Sequence, residues 1–328
     1  MGYQGVKTPR FYIDYLQYFF ATGRITPPSS DSIFGLGGIH SYSSIKQGTT
    51  EYSDVEWELP TPNEDYGSIN FLAVLNHNIA TAKQDYSVID AYFNDYNIGW
   101  NNFTTGQGFL EKANSYYQID GYSIQTHTEL ALTDGLNVKF AVWLAGNLPI
   151  KIGSVVLGKY YDMPHSPDLS LSMSHEYSGI SKTQSASGST YTNANWSKPP
   201  KWGELDAWEL NFDSPGYNPR YHMSGRRSWD LSFSYISDTD LEPRNYTGWD
   251  TSGNIGDDNW FQNVLYYTMG GHLPFIFCPD PSIEYYNDGT NPPRVPEFAI
   301  CRFDMNTFER TQVAHNVYNM KVKIVETW

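Results

Sequence analysis

The chain has 328 residues and a formal net charge of −15, and its 26 Tyr outnumber the 21 Lys plus Arg. So acidic a balance excludes a nucleic-acid partner gripped through its phosphates, which requires a basic stripe. Tyrosine suits pleated, half-buried surfaces, and the 27 Gly and 19 Pro supply turns, so the composition predicts an all-β protein of two domains, or of one with large insertions.

Residues 1–60 read as an N-terminal arm and connection. Arg10-Phe-Tyr-Ile-Asp-Tyr-Leu-Gln-Tyr-Phe-Phe20 is almost continuously apolar and stops at Gly23, which would cap a short helix; a strand fits the same letters. Thr26-Pro-Pro-Ser-Ser-Asp31 and Phe34-Gly-Leu-Gly-Gly38 are turn and loop signals. An element followed by loop in this position either docks on a neighbouring subunit or packs on its own domain. Met1–Lys7 has no signal-peptide core, and no apolar run reaches the length of a membrane helix, so membrane insertion is not expected.

Residues 61–165 are expected to form a first β-sandwich of the jelly-roll kind. Its predicted strands are Ile69–Leu75, Tyr116–Ile119, Leu136–Leu144 and Ile150–Leu157, with a polar loop from Asn94 to Gly108 carrying Tyr96, Trp100 and Phe103. Val138, Phe140, Val142 and Leu144 recur at period two.

Residues 166–328 are expected to form a second β-sandwich with one flanking α-helix. Asp168–Ser174 alternates, and a Ser-, Thr- and Asn-rich loop over 181–197 follows. Then comes Trp229-Asp-Leu-Ser-Phe-Ser-Tyr235, in which every second residue is large and apolar: a strand with one buried and one wet face. The helix is predicted over Trp260–Thr268, with N-caps offered by Asp257, Asp258 and Asn259 and a stop at Gly270-Gly271. Leu273–Cys278 and Phe298–Phe303 resume strand. In the last strand Tyr318, Met320, Val322, Ile324 and Trp328 point one way, and Asn319, Lys321, Lys323 and Thr327 the other. Cys278 and Cys301 sit in apolar runs and read as two buried free thiols.

Catalytic signatures are sparse. No Gly-x-Ser-x-Gly elbow or phosphate-cradling glycine loop occurs, and His175-Glu176 lacks the second histidine of a zinc helix, so neither metal nor cofactor is expected. Asp238, Asp240 and Glu242 offer calcium-type oxygen ligands without the spacing of a calcium loop, which reads as a solvated turn.

In layout the second half resembles virion structural proteins of tailed bacteriophages, of the tail-tube and distal-tail (baseplate) type. The residues that carry the resemblance are Gly225-Arg-Arg-Ser-Trp-Asp-Leu-Ser-Phe-Ser-Tyr235, Leu273-Pro-Phe-Ile-Phe-Cys-Pro-Asp280 and Val322-Lys-Ile-Val-Glu-Thr-Trp328, with the helix between them. It implies β-sheets flanked by a helix, copies joined side by side into a ring, and a virion location. The first half resembles a carbohydrate-binding, discoidin-like jelly roll through Asn70–Asn78 and Pro149–Gly158.

The expectation is therefore a non-enzymatic structural component of a phage tail or baseplate, whose partners are copies of itself and other tail proteins. Arg226 and Arg227 are the expected inter-subunit ion-pair partners, with Trp229, Trp202 and Trp208 as interface anchors. The alternative is a carbohydrate-binding module that recognises a host surface glycan through His77, Tyr96 and Trp100; a polysaccharide-degrading enzyme ranks third.

Overall fold

The computed structural model describes residues 6–25, 43–45, 52–58, 68–77, 88–95, 99–102, 121–131, 137–143, 150–176, 180–194, 201–202, 205–206, 226–242, 258–282 and 298–327. In chain order the strands are β1 (Arg10–Asp14), β2 (Ser43–Ile45), β3 (Tyr52–Glu58), β4 (Ser68–His77), β5 (Val88–Asp95), β6 (Gly99–Asn102), β7 (Gly121–Ala131), β8 (Asn137–Trp143), β9 (Ile150–Asp162) and β10 (Ser172–Glu176). They continue as β11 (Ile180–Gln184), β12 (Thr190–Ala194), β13 (Lys201–Trp202), β14 (Leu205–Asp206), β15 (Arg226–Ser237), β16 (Phe275–Cys278), β17 (Ala299–Phe303), β18 (Arg310–Ala314) and β19 (Val317–Glu326). Helix is confined to α1 (Tyr15–Ala21), the single turn α2 (Asp238–Leu241) and a π-helical turn, Phe261–Tyr266, among the described residues. The protein is all-β.

One eleven-stranded sheet organises the chain, in the order β10-β15-β19-β17-β16-β1-β9-β4-β7, with β2 beside β9 and β18 beside β19. The division expected at residue 165 falls inside this sheet: β9 before it and β10 after it belong to the same surface. A separate four-stranded sheet, β3-β8-β5-β6, holds the Val138–Val142 alternation. The expected strand Tyr116–Ile119 lies outside the described residues.

The sequence of each strand follows from its place. Central strands are covered on both faces and so read as apolar runs rather than alternating ones. Phe275–Cys278 is buried throughout, as is Phe11–Asp14. Odd and even positions go to different cores: Phe11, Ile13, Phe275, Phe277 and Cys301 join the larger cluster, and Tyr12, Ile276, Cys278 and Ile300 the smaller one. The two cysteines thus occupy neighbouring strands but opposite faces of the sheet, and both are free and buried. Towards the margin only one face is covered, and β19 alternates, with Met320, Val322, Ile324 and Glu326 buried and Lys321 and Lys323 exposed.

The N-terminal run is both elements that its letters allow. Phe11–Asp14 is strand, and Asp14 then caps α1, its Oδ1 accepting from the Gln17 N–H at 3.1 Å. Residues 10–21 pack into the protein's own sheet, which answers for this segment the choice between docking arm and domain core. The predicted helix over 260–268 is the π-helical turn with its flanks. Asn259 Oδ1 accepts from Gln262 N at 2.9 Å, and Gly270 and Gly271 take positive φ of 69° and 93° to end it. A Cβ on Gly271 would come within 3.0 Å of the Phe303 Cβ, so this turn lies directly on β17.

Candidate assembly surface

The Arg226–Ser237 strand was the expected contact element, and its inward stripe is already occupied. Trp229 is 4% exposed, its ring 5.1 Å from that of Phe277, so it is a core residue and not an interface anchor. Arg227 stands in the same stripe opposite Glu326 and forms a bidentate pair with it, Nη2 to Oε1 at 2.7 Å and Nε to Oε2 at 3.0 Å. A further bond runs from Nη2 to the Phe298 carbonyl at 3.2 Å, and the guanidinium lies 5.4 Å from the Trp229 ring centroid. The role expected for Arg227 between subunits is thus filled inside one chain. Arg226 opens β15, opposite Glu176 of β10.

Trp202 lies on the two-residue strand β13, opposite Leu205, and Trp208 falls outside the described residues. Of the glycan candidates, His77 closes β4 in the large sheet, whereas Trp100 lies on β6 in the four-stranded sheet, opposite Asn94. Tyr96 and Trp328 are outside the described residues.

What β15 does offer outward is Tyr235. Sequence alternation places it with Trp229, Leu231 and Phe233, but Phe233 pairs Met320 while Ile236 pairs Tyr318, three residues of β15 against two of β19. This bulge hands the inward position to Ile236 and turns Tyr235 out, 77% exposed at φ 62°, with its N–H donating to Asn319 Oδ1 at 3.1 Å. On the other flank Asp168 runs beside β15 through its N–H to Ser232 O at 2.8 Å and through Ser234 Oγ donating to Asp168 Oδ2 at 2.7 Å. The predicted strand Asp168–Ser174 therefore begins only at Ser172, because Asp168 is taken up by these bonds and Leu169 turns outward, fully exposed.

Two further hairpins are largely exposed. The expected loop over 181–197 contains a two-stranded ribbon, β11–β12, closed by Ser185 and Ser189 through backbone bonds, with Gly188 at φ 85°. Its described side chains are nearly all exposed, Tyr191 among them. Strand β18 pairs β19 over Arg310–Ala314, and all five of its residues are exposed. Among the described residues β18 pairs with β19 alone, as an edge strand. Arg310 at its start pairs with Glu242 at the end of α2.

The acidic stretch after β15 is the short turn α2, in which Tyr161 donates its hydroxyl to the Asp240 carbonyl at 3.1 Å. Among the described residues no group of three or more His, Cys, Asp or Glu side chains is placed to hold a metal ion. No described helix is long and apolar enough to cross a membrane. Compared with protein-family models, with curated proteins and with solved structures, the chain matches none.

Proposed function

We propose that the chain is a non-enzymatic structural component of a bacteriophage tail or baseplate that assembles with copies of itself into a ring. The observation that carries this reading is the antiparallel pairing of β15 with β19, Ser228 opposite Val325 through Ser237 opposite Val317, in a sheet flanked by a helical element. These are the ribbons on which the resemblance to tail-tube and distal-tail proteins rests. The exposed strand β18, the outward Tyr235 and Leu169, and the ribbon β11–β12 supply edges and side chains of the kind that neighbouring copies cover. Ring closure repeats one contact pair many times, so weak individual contacts sum to a stable assembly.

The test is the mass and shape of the purified chain, alone and mixed with other tail proteins, by light scattering and negative-stain imaging. Rings or defined multimers are the expected result. A monomer that neither self-associates nor binds any virion component overturns the reading.

A further inference from the structure

Asp14 is the last residue of β1 and the cap of α1, and it is 2% exposed. Its Oδ1 accepts from Gln17 N, whereas its Oδ2 is buried with no hydrogen-bond partner. The junction is tight: Asp14 pairs with Gly158 of β9, and a Cβ on Gly158 would lie 2.0 Å from the Ile13 carbonyl oxygen. The helix that Asp14 caps carries Tyr15, Leu16, Tyr18 and Phe19 into the core. The Tyr15 and Tyr18 rings lie 4.3 and 5.0 Å from that of Tyr267 beside the π-helical turn.

A carboxylate in this position has one oxygen bonded to the Gln17 N–H and the other without a hydrogen bond, and the few backbone N–H groups nearby offset only part of the cost of burying its charge. We propose that Asp14 is a proton-operated latch: its neutral carboxyl keeps α1 seated on the sheet, and loss of the proton loosens α1 and its aromatic side chains while the sheet stays paired.

Burial pushes the carboxyl up to about 7, against the smaller opposing effect of the backbone N–H groups of Gln17, Leu16 and Leu157. The ionisable side chains described on the surrounding elements are Arg10 and Tyr12 on β1, Tyr15 and Tyr18 on α1, Lys159, Tyr160, Tyr161 and Asp162 on β9, Cys278 on β16, and Tyr266 and Tyr267 at the π-helical turn. None of these described groups adds a charge effect at Asp14. The sign follows. With α1 open, Asp14 regains its ordinary, lower value, so closure is fully supported below that value. The support erodes as pH rises and is gone above the closed-state value.

Hydrogen exchange at the α1 amides, corrected for intrinsic rate, tests this on the full chain between pH 5 and 8. In the parent protein the opening constant should rise about tenfold per pH unit up to about 7 and then level off. In Asp14→Asn it should be flat. Parallel profiles in the two proteins overturn the proposal. Should the variant fail to fold, the ¹³C carboxyl resonance of Asp14 in the parent protein decides: a midpoint near 7 supports the latch, and one in the ordinary aspartate range overturns it.

Discussion

Arg227 and Glu326 face each other across the β15–β19 ladder, ninety-nine residues apart in the chain, joined by two side-chain hydrogen bonds and by the Arg227 N–H donating to Glu326 Oε2 at 3.1 Å. Each closes an apolar stripe: Arg227 precedes Trp229, Leu231 and Phe233, and Glu326 follows Met320, Val322 and Ile324. The pair holds the two strands in a single register, since a one-residue slip would bury a charge beside an alkyl group. Glu326 is 6% exposed at the side chain and Arg227 20%. Removing one partner should cost about 2–4 kcal/mol in denaturant unfolding, somewhat below the value for a fully buried pair. The double variant Arg227→Met, Glu326→Leu should recover most of that loss.

Two residues of the same strand should behave in opposite ways. Phe233 is fully buried, and Phe233→Ala should lower stability by about 3–5 kcal/mol. Tyr235 is exposed and sits at positive φ, so Tyr235→Gly should be neutral or stabilising by up to about 1 kcal/mol. Thermal unfolding of both variants checks the bulge directly.

Gly158→Ala would place a methyl group on the Ile13 carbonyl, backbone against backbone, with no flexible side chain to yield. A cost of about 2–3 kcal/mol is expected, read as a drop in denaturation midpoint without a change in slope.

Burial, and after it the Glu326 carboxylate, pushes the Cys301 thiol well above its ordinary value, and Cys278 is equally buried. Both should resist a thiol reagent at pH 8 in the native protein and react fully in denaturant. No disulfide should form between them on oxidation, because they face opposite sides of the sheet.

Replacing the ribbon between Ile180 and Ala194 by a short Gly-Ser linker removes surface but little core. Stability should change by less than about 0.5 kcal/mol, while the multimers expected of the parent chain should be lost or reduced in size. Scattering and calorimetry on the same sample separate the two effects.

How much of this was legible depended on how many faces of each strand are covered. Strands β15 and β19 announce themselves by alternation because one face is wet. Strand β1 does not: with Phe11, Tyr12 and Ile13 all buried, its run carries no period and cannot be told from the helix that follows. Tyr235 was misplaced because a bulge breaks the period without leaving a glycine to mark it. The β11–β12 ribbon read as loop because its strands are held by their own ladder and not by apolar burial. The role of Arg227 had a signal in retrospect: it and Glu326 are charges in phase with two apolar stripes, a pattern that points inward to a mate and not outward to a neighbour. His77, Tyr96 and Trp100 are singled out by residue type alone; His77 lies on a strand of the large sheet and Trp100 on one of the four-stranded sheet.

The insertion of β1 between β9 and β16 has a consequence for the order of events during synthesis. Phe11 must meet both Tyr161 and Phe277, so one flank of β1 can close once β9 has left the ribosome, while the other waits for more than a hundred further residues. Until then an unsaturated ribbon of Phe, Tyr and Ile is open to wrong liaisons. Chaperone dependence and slow maturation should therefore trace to this seam rather than to any hairpin that zips locally.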